Sequence, residues 1–312
     1  MTAYVRIMLF ITLTLFSCKK DEMREEQQTA ELSPLETVRR LAEENKQFTA
    51  GRPVGGMPSS LEFNEIHERG YIVFAMVARD NKPFFYRDEQ TGELIGLDVE
   101  IAYTIANRLG VRAVFNRDAT TFDGVIMKVA QGKADIALSK LSITPRRAEL
   151  VRFTKPYFIF RQTLLINRLE FAKIGTENQL PQFIRNFRGT IGVLDNTSYV
   201  NFAQVNFPEA QIITFDNWNN AADALFAGDL LAIYRDEGEI LILNATRNDA
   251  SILTKPVAIG DKRDLLAMAV SSERAFLQNW LNIFIDDYLL KNSRELTPNR
   301  LIERHFSEKR NQ

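Results

Sequence analysis

From Tyr71 onward the apolar and polar positions of the chain alternate between two periods. Residues 71–77 (Tyr-Ile-Val-Phe-Ala-Met-Val) form a nearly unbroken apolar run, as expected of a strand buried on both faces. Gly96-Leu97-Asp98 then opens a stretch in which Ile101, Ala102, Ile105, Ala106 and Leu109 recur at helical spacing until Gly110 stops it. Between these two lie an aromatic-rich loop, 81–86, and a hairpin-like turn, 87–94. Residues 111–115 read as the next strand, 122–132 as the next helix and 136–138 as a third strand. Residues 151–166 show no helical period and read as one long extended crossover.

A second cycle follows the crossover. It consists of strand 190–194, a cap at Asp195-Asn196-Thr197-Ser198, strand 212–215, helix 221–227 stopped by Gly228, and strand 231–234 ending in Arg235-Asp236-Glu237. Residues 254–258 read as a second crossover, 265–270 as a return to the first unit, and 276–290 as a closing amphipathic helix. Repeated β-α-β units imply a largely parallel sheet with ligands at the carboxyl ends of its strands. Two crossovers between two such units make a hinge that closes around a ligand.

The stretch 134–147 carries the most specific chemistry. It enters as a short strand, continues as Ser139-Lys140-Leu141-Ser142, and closes with Thr144-Pro145, the signature of a helix start. Arg146 and Arg147 fall in the first turn, where a cation opposes the helix dipole and is a poor choice for stability alone. Free N–H groups at a helix start together with a guanidinium fork suit a carboxylate. Stretch 134–147 is accordingly expected to be an anion-binding loop.

Ahead of the first strand the pattern changes character. Residues 1–18 hold Arg6, an apolar run of about ten residues and Ser17-Cys18, the layout of a secretory signal peptide. Leu15-Phe16-Ser17-Cys18 resembles the lipobox of bacterial lipoproteins, in which the Cys becomes the acylated first residue of an anchored chain. Cys18 is the single Cys of the 312 residues, which rules out an internal disulfide. Residues 19–60 are polar, charged and finally rich in Gly and Pro, the composition of a tether. Within it, Leu35, Val38, Leu41 and Ala42 after Ser33-Pro34 predict a short accessory helix.

Lys and Arg number 39 against 40 Asp and Glu, and no basic tract with interleaved aromatics occurs, so nucleic acid is not an expected partner. His67 and His305 are the two histidines, one near each end of the folded part. No zinc-ligand cluster, glycine-rich phosphate loop or Ser/His/acid set is present to support metal, nucleotide or nucleophilic chemistry.

Five short segments in fixed order carry a resemblance to a known family. They are Gly96-Leu97-Asp98-Val99-Glu100-Ile101-Ala102, Phe122-Asp123-Gly124, Gly132-Lys133-Ala134-Asp135, Leu141 through Arg147, and Phe153-Thr154-Lys155-Pro156-Tyr157. From about 71 to 306 the chain resembles the bacterial extracellular solute-binding proteins of family 3, the binding components of polar amino-acid uptake systems. The resemblance implies an α/β, two-lobed periplasmic-binding-protein fold of type II, with a hinge of two crossover strands and the ligand cleft between the lobes. Lobe 1 would comprise 61–160 and 257–312, and lobe 2 would comprise 161–256. It implies no cofactor and no catalysis, a monomer, and an ABC transporter permease as partner. With the lipobox, it also implies an exported protein lipid-anchored to a membrane and facing the periplasm or cell surface.

The resemblance also implies roles for particular residues. Arg147 would grip the ligand carboxylate, with the backbone N–H near Ser142 and the hydroxyl of Thr197 completing that site. Asp236 would take the α-amino group, and Phe122 would stack on the ligand. By residue type alone Phe122 reads as core, and Asp236 reads equally as a surface acid paired with Arg235. Three features depart from the family pattern, one of them Asn196, which stands in the second-lobe cap where the family usually has Gly. Lys140 stands where a small or hydroxyl residue is usual, and Ala78 through Phe84 lacks the usual side chain before Pro83-Phe84. Lys140 would answer a second carboxylate on the ligand or fold back on an acid such as Asp98. With Arg79 and Lys82 nearby it suggests an acidic or dicarboxylic ligand, and Phe84 joins the candidate contacts. Two other readings use the same fold: a dehydratase of the cyclohexadienyl type, with Asp236-Glu237 as acid and base, or a ligand-sensing subunit.

Overall fold

The structure, a computed structural model, describes residues 32–48, 60–292 and 296–310. The leader, Cys18 and most of the 19–60 tether lie outside the described residues. The Ser33-Pro34 start does open a helix, α1 (Pro34–Lys46). It is closed by a reciprocal capping box in which Ser33 Oγ accepts the Glu36 N–H at 3.2 Å and the Glu36 carboxylate accepts the Ser33 N–H at 2.9 Å. Val38 enters the main core and Asn45 is buried. The Asn45 amide donates to the Val111 carbonyl (2.8 Å) and Asn107 Oδ1 (2.7 Å), while its oxygen accepts the Ala113 N–H (2.8 Å). Asn45→Ala would leave those groups without partners. It is expected to cost about 2 kcal/mol and to speed hydrogen exchange across 34–46, which mass spectrometry would read; unchanged exchange would mean the helix docks through its apolar face alone.

The first lobe follows the predicted alternation. Helix α2 (Leu61–Arg69) leads into β1 (Tyr71–Val77), and β2 (Tyr86–Arg87) with β3 (Leu94–Ile95) forms the small antiparallel hairpin around the 87–94 turn. Then come α3 (Leu97–Leu109), β4 (Arg112–Ala119), α4 (Phe122–Ala130), β5 (Ile136–Ala137) and a single turn, α5 (Pro145–Ala148). Strand β1 pairs in parallel with β4 and β5, as buried β-α-β strands do.

Strand β6 (Val151–Asn167) leaves this lobe as one continuous strand of 17 residues. The second lobe contains α6 (Arg168–Ala172), α7 (Leu180–Arg185), β7 (Thr190–Leu194), α8 (Ser198–Asn206), β8 (Gln211–Phe215) and α9 (Trp218–Ala227). It ends with β9 (Ala232–Asp236), α10 (Glu237–Thr246) and α11 (Ala250–Leu253). Strand β10 (Thr254–Ser271) returns, and α12 (Ala275–Asn292) and α13 (Pro298–Arg310) close the chain. The two segments 254–258 and 265–270 are thus one strand. The polar run Gly260-Asp261-Lys262-Arg263-Asp264 interrupts the apolar pattern and not the extended backbone.

All the long strands join one curled sheet in the order β4-β1-β5-β10-β6-β9-β7-β8. The sheet is parallel within β4-β1-β5 and within β9-β7-β8, and antiparallel wherever β6 or β10 takes part (with each other, β10 with β5, β6 with β9). The parallel character inferred from β-α-β units thus applies to those two sets of strands and not to the crossover strands. Pairing between β6 and β10 is broken from Ala258 to Arg263, midway along both strands. On one side of that break Phe158, Phe160, Leu266 and Met268 enter the first-lobe core. On the other side Leu164 and Ile166 enter one core of the second lobe and Leu165 the other, the period-2 alternation of a strand with packed layers on both faces. Each lobe therefore has its own core, and the two long strands are the shared elements between them.

Candidate functional site

The loop after β5 reaches into the space between the lobes because α3 holds it there. Asp98, in the first turn of α3 and fully buried, accepts the Lys140 backbone N–H (2.8 Å) and the Tyr157 hydroxyl (2.8 Å). Lys140 itself has φ 49°, the left-handed region that costs a residue with a Cβ. Burial pushes the Asp98 carboxyl up to about 7, against the opposing pull of Tyr157 and Lys140. Burial and neighbouring Asp236 push Asp264, on β10, up to about 6. An acid raised in the folded state binds a proton there that the unfolded chain releases. Between about pH 4 and pH 7, folding stability is therefore expected to fall as pH rises, by up to about 1.4 kcal/mol per pH unit per group. Above pH 7 these two contributions level off. Melting curves at several pH values should show a shallower slope in Asp98→Asn; an unchanged slope would mean that Asp98 does not carry the effect.

Beyond Lys140 the loop turns into α5. Thr144 caps it, its hydroxyl accepting the Arg147 N–H at 3.3 Å. The structure changes the expectation for this helix start. A single turn accumulates almost no dipole, and its cap already takes one of the free N–H groups. What remains of the anion site at this point is the Arg147 side chain, 6% exposed, whereas Arg146 is exposed. Its Nε donates to Asp123 Oδ1 (2.9 Å) and its Nη1 to the Ser142 carbonyl (3.1 Å). Those two bonds fix the guanidinium plane, and Nη2 has no partner among the described residues.

Facing Arg147 is the start of α8 in the second lobe. Thr197 occupies the N-cap position, yet its hydroxyl donates backward to the Leu194 carbonyl (2.6 Å) and does not cap α8. Asn196, just before it, is left-handed (φ 55°). The lobes touch here through Ser142 Oγ and Ser198 Oγ, 2.8 Å apart. Asp236 ends β9, is 1% exposed, and caps α10 by accepting the Glu239 N–H (3.1 Å). The reading of Asp236 as a surface acid is thereby excluded.

Lys140 crosses the cleft. Its Nζ lies 3.2 Å from Asp236 Oδ2 and 2.9 Å from Glu239 Oε1, with the Phe84 and Phe160 ring centres 5.2 and 5.4 Å away. The link to Asp98 goes through the Lys140 backbone, and the ammonium belongs to the other lobe. Burial works against the charge on Lys140, but Asp236 and Glu239 outweigh it and raise its pKa. Burial likewise opposes ionisation of Glu239, and Lys140 and Arg235 hold its carboxyl below its usual value. Phe84 is fully buried and meets this cluster through Lys140. Phe122, 6% exposed, faces the cavity with the Arg79 guanidinium 5.3 Å from its ring centre.

Together Phe122, Lys140, Ser142, Arg147, Thr197 and Asp236 line one interlobe cavity of about 20 Å3, room for about one water molecule. It lies between a wider cleft of about 470 Å3 beside Arg147 and α8, and another of about 340 Å3 beside Arg79, Lys82 and Trp218. The same cavity contains residues that periodicity did not single out: Ser198, Tyr199, Arg235 and Asp264. For Arg235 a signal was available. A charge run Arg-Asp-Glu at the end of a strand buried on both faces has nowhere to go but a polar cleft. Of the acid pair Asp236-Glu237, Glu237 turns away to accept the Arg161 N–H and Nε, both at 2.7 Å.

A family model described as bacterial extracellular solute-binding proteins, family 3, matches residues 73–306. The arginine-binding periplasmic protein of Mannheimia haemolytica is 28% identical over 162 residues, 52% of this chain and 62% of that protein. The L-cystine-binding protein TcyJ of Escherichia coli K12 is 25% identical over 208 residues, 66% of this chain and 74% of that protein. Among solved structures, an ancestral amino-acid-binding protein described as a precursor of cyclohexadienyl dehydratase shares 27% identity at a TM-score of 0.59, covering 77% of this chain and 97% of its own. A lysine-complexed binding component of an ABC transporter from Wolinella succinogenes has the same fold, with a TM-score of 0.61 at 23% identity, covering 76% of this chain and 95% of its own. With three quarters of its length matched by the family model, and with the two-lobed fold in place, this chain belongs to the bacterial extracellular solute-binding proteins of family 3.

Proposed function

We propose that this protein binds a small carboxylate of amino-acid size between its lobes, with Arg147 as the grip, and delivers it to an ABC-type membrane transporter. The observation that carries this reading is the buried Arg147 fork, its plane fixed by Asp123 and Ser142 and its Nη2 left over, opposite the uncapped start of α8. A helix of that length presents free N–H groups and a partial positive charge to an anion. Ser142, Thr197 and Phe122 would complete the carboxylate end of the site, and Asp236, Lys140 and Phe84 would shape its other end. The relatives named for arginine and cystine support the size class of the ligand. Of the three cations that suggested a second carboxylate on it, Arg79 beside Phe122 still supports one, whereas Lys82 pairs with Glu89 and Lys140 with Asp236 and Glu239. Export follows from the family, and acylation at Cys18 would hold the protein at a membrane.

Calorimetric titration with the common amino acids and a set of dicarboxylates tests the reading. Saturable one-to-one binding of a carboxylate, lost in Arg147→Ala, is the expected result. The absence of binding across both series would end it. Consumption of a carboxylate during titration would favour the dehydratase, for which Glu237, held by Arg161, is poorly placed as a base.

A further inference from the structure

Asp264 stands on β10 just after the break in the β6–β10 pairing, opposite Phe160. The strand there is fastened to the loop that carries Arg147: the Ile143 N–H donates to the Leu265 carbonyl (2.9 Å), and Ser142 bridges Leu266. Asp264 is thereby held beside Ser142, 2% exposed, and lines the same interlobe cavity as Ser142 and Arg147. Its Oδ1 has no hydrogen-bond partner among the described residues. Burial and Asp236 push its carboxyl up to about 6, against the pull of Ser142, Lys140 and Tyr199. A buried carboxylate oxygen left bare is costly, and a cationic donor on a ligand relieves that cost.

The other charges around the cavity are answered within the protein. Lys140 reaches Asp236 (3.2 Å) and Glu239 (2.9 Å), and Arg235 lies 3.7 and 3.6 Å from the same two acids. Arg147 pairs with Asp123, and Asp98 accepts the Lys140 N–H and the Tyr157 hydroxyl. Arg79 is exposed at the cleft beside Trp218. Arg235 Nε and Nη1 and the Tyr199 hydroxyl also lack hydrogen-bond partners, which leaves donors for further acceptors on a ligand. Two groups of opposite sign therefore remain for the ligand's own charges: the Arg147 fork with its spare Nη2, and Asp264.

We propose that Asp264 receives the ammonium of an α-amino acid whose carboxylate is held by Arg147, the role that the family resemblance gives to Asp236. This inference rests on the carboxylate-binding reading above and narrows it to α-amino acids. Lys140 already occupies Asp236, so the acid at the end of β9 is taken and the one on β10 is open. Asp264 and Arg147 line a cavity with room for about one water molecule, the size of an ammonium. A space that small brings both within reach of two groups borne on one carbon. A carboxylate without the amino group would leave Asp264 Oδ1 bare in the closed cleft.

The experiment titrates the purified chain with matched pairs that differ in the amino group. The pairs are glutamate and glutarate, aspartate and succinate, arginine and 5-guanidinopentanoate, and the best amino acid of the wider panel with its deaminated analogue. Wild type is expected to bind the amino acid of the best pair at least about 100-fold more tightly than its partner. In Asp264→Asn, close to wild type in shape, that preference is expected to vanish, with the deaminated member bound as before. In Asp236→Asn it is expected to persist. Equal or tighter wild-type binding of the deaminated acids overturns this inference and leaves the carboxylate-binding reading standing. So does an undiminished preference in an Asp264→Asn protein whose cooperative unfolding shows it to be folded. If Asp264→Asn does not fold, Asp236→Asn decides, since loss of the preference there returns the ammonium to Asp236. Absence of binding by every acid of the panel to wild type overturns both.

Discussion

Replacing Arg147 with alanine is expected to weaken carboxylate binding by at least about 100-fold, the loss associated with removing one partner of a desolvated charge pair. Arg147→Lys is expected to recover little of it. The guanidinium is oriented by two bonds, Nε to Asp123 and Nη1 to the Ser142 carbonyl, and both depend on the planar fork. Lysine would retain the charge and lose the plane. Asp123→Ala should matter less, because the Asp123 side chain is 60% exposed and supports the fork without itself lining the small central cavity. Titration of the three variants with the best ligand checks the order. Equal affinity of Arg147→Lys and wild type would show that the site reads charge and not the fork.

Gly96→Ala is expected to be the most damaging single substitution for stability, at about 4 kcal/mol or more, in the range reserved for specific structural failures. Gly96 has φ 119°, and an added Cβ would lie 2.5 Å from the Phe84 carbonyl oxygen and 2.7 Å from that of Pro83. Those carbonyls cannot retreat cheaply, since they accept the N–H groups of Asp98 (2.9 Å) and Leu97 (3.2 Å) at the start of α3. The damage would reach the cleft. Displacing the start of α3 moves Asp98, and Asp98 holds the Lys140 backbone. Gly92→Ala is the control: its φ is +71° with nothing within 4 Å of the new Cβ, so only backbone strain remains, about 1 kcal/mol. Chemical denaturation of the two variants measures the difference. Similar losses at both positions would mean that the close approach to Phe84 contributes nothing.

Both substitutions bear on how much the one-dimensional pattern could reveal. Gly96-Leu97-Asp98 reads locally as the opening of a helix, which is what it is. Its second role, clamping the loop that carries Lys140, depends on a contact across 42 residues. Arg147 was legible for a similar reason: its position in a short hydroxyl-rich loop is a matter of neighbouring residues. The one-turn length of α5 was not, since that depends on where Val151 must enter the sheet. Arg235 was legible as a charge at the end of a buried strand and uninterpretable as to its partners.

The sequence by itself determined the alternation of strands and helices, the capped helix at 34–46, the two lobes joined by extended crossovers, and the cationic loop between them. Each of these follows from hydrophobic period, turn chemistry or spacing, properties that act over a few residues at a time. The tertiary structure decided where the ammonium of Lys140 goes. Its partners, Asp236 and Glu239, lie 96 and 99 residues away in the other lobe, and the acid expected to meet it in its own lobe, Asp98, takes the backbone instead. Local pattern sets which face of each element is buried; the pairing of β6 with β10 sets how two separately buried faces meet. A charge that finds its partner across that meeting is a property of the hinge, and no window of the chain short enough to show a period contains both halves of it.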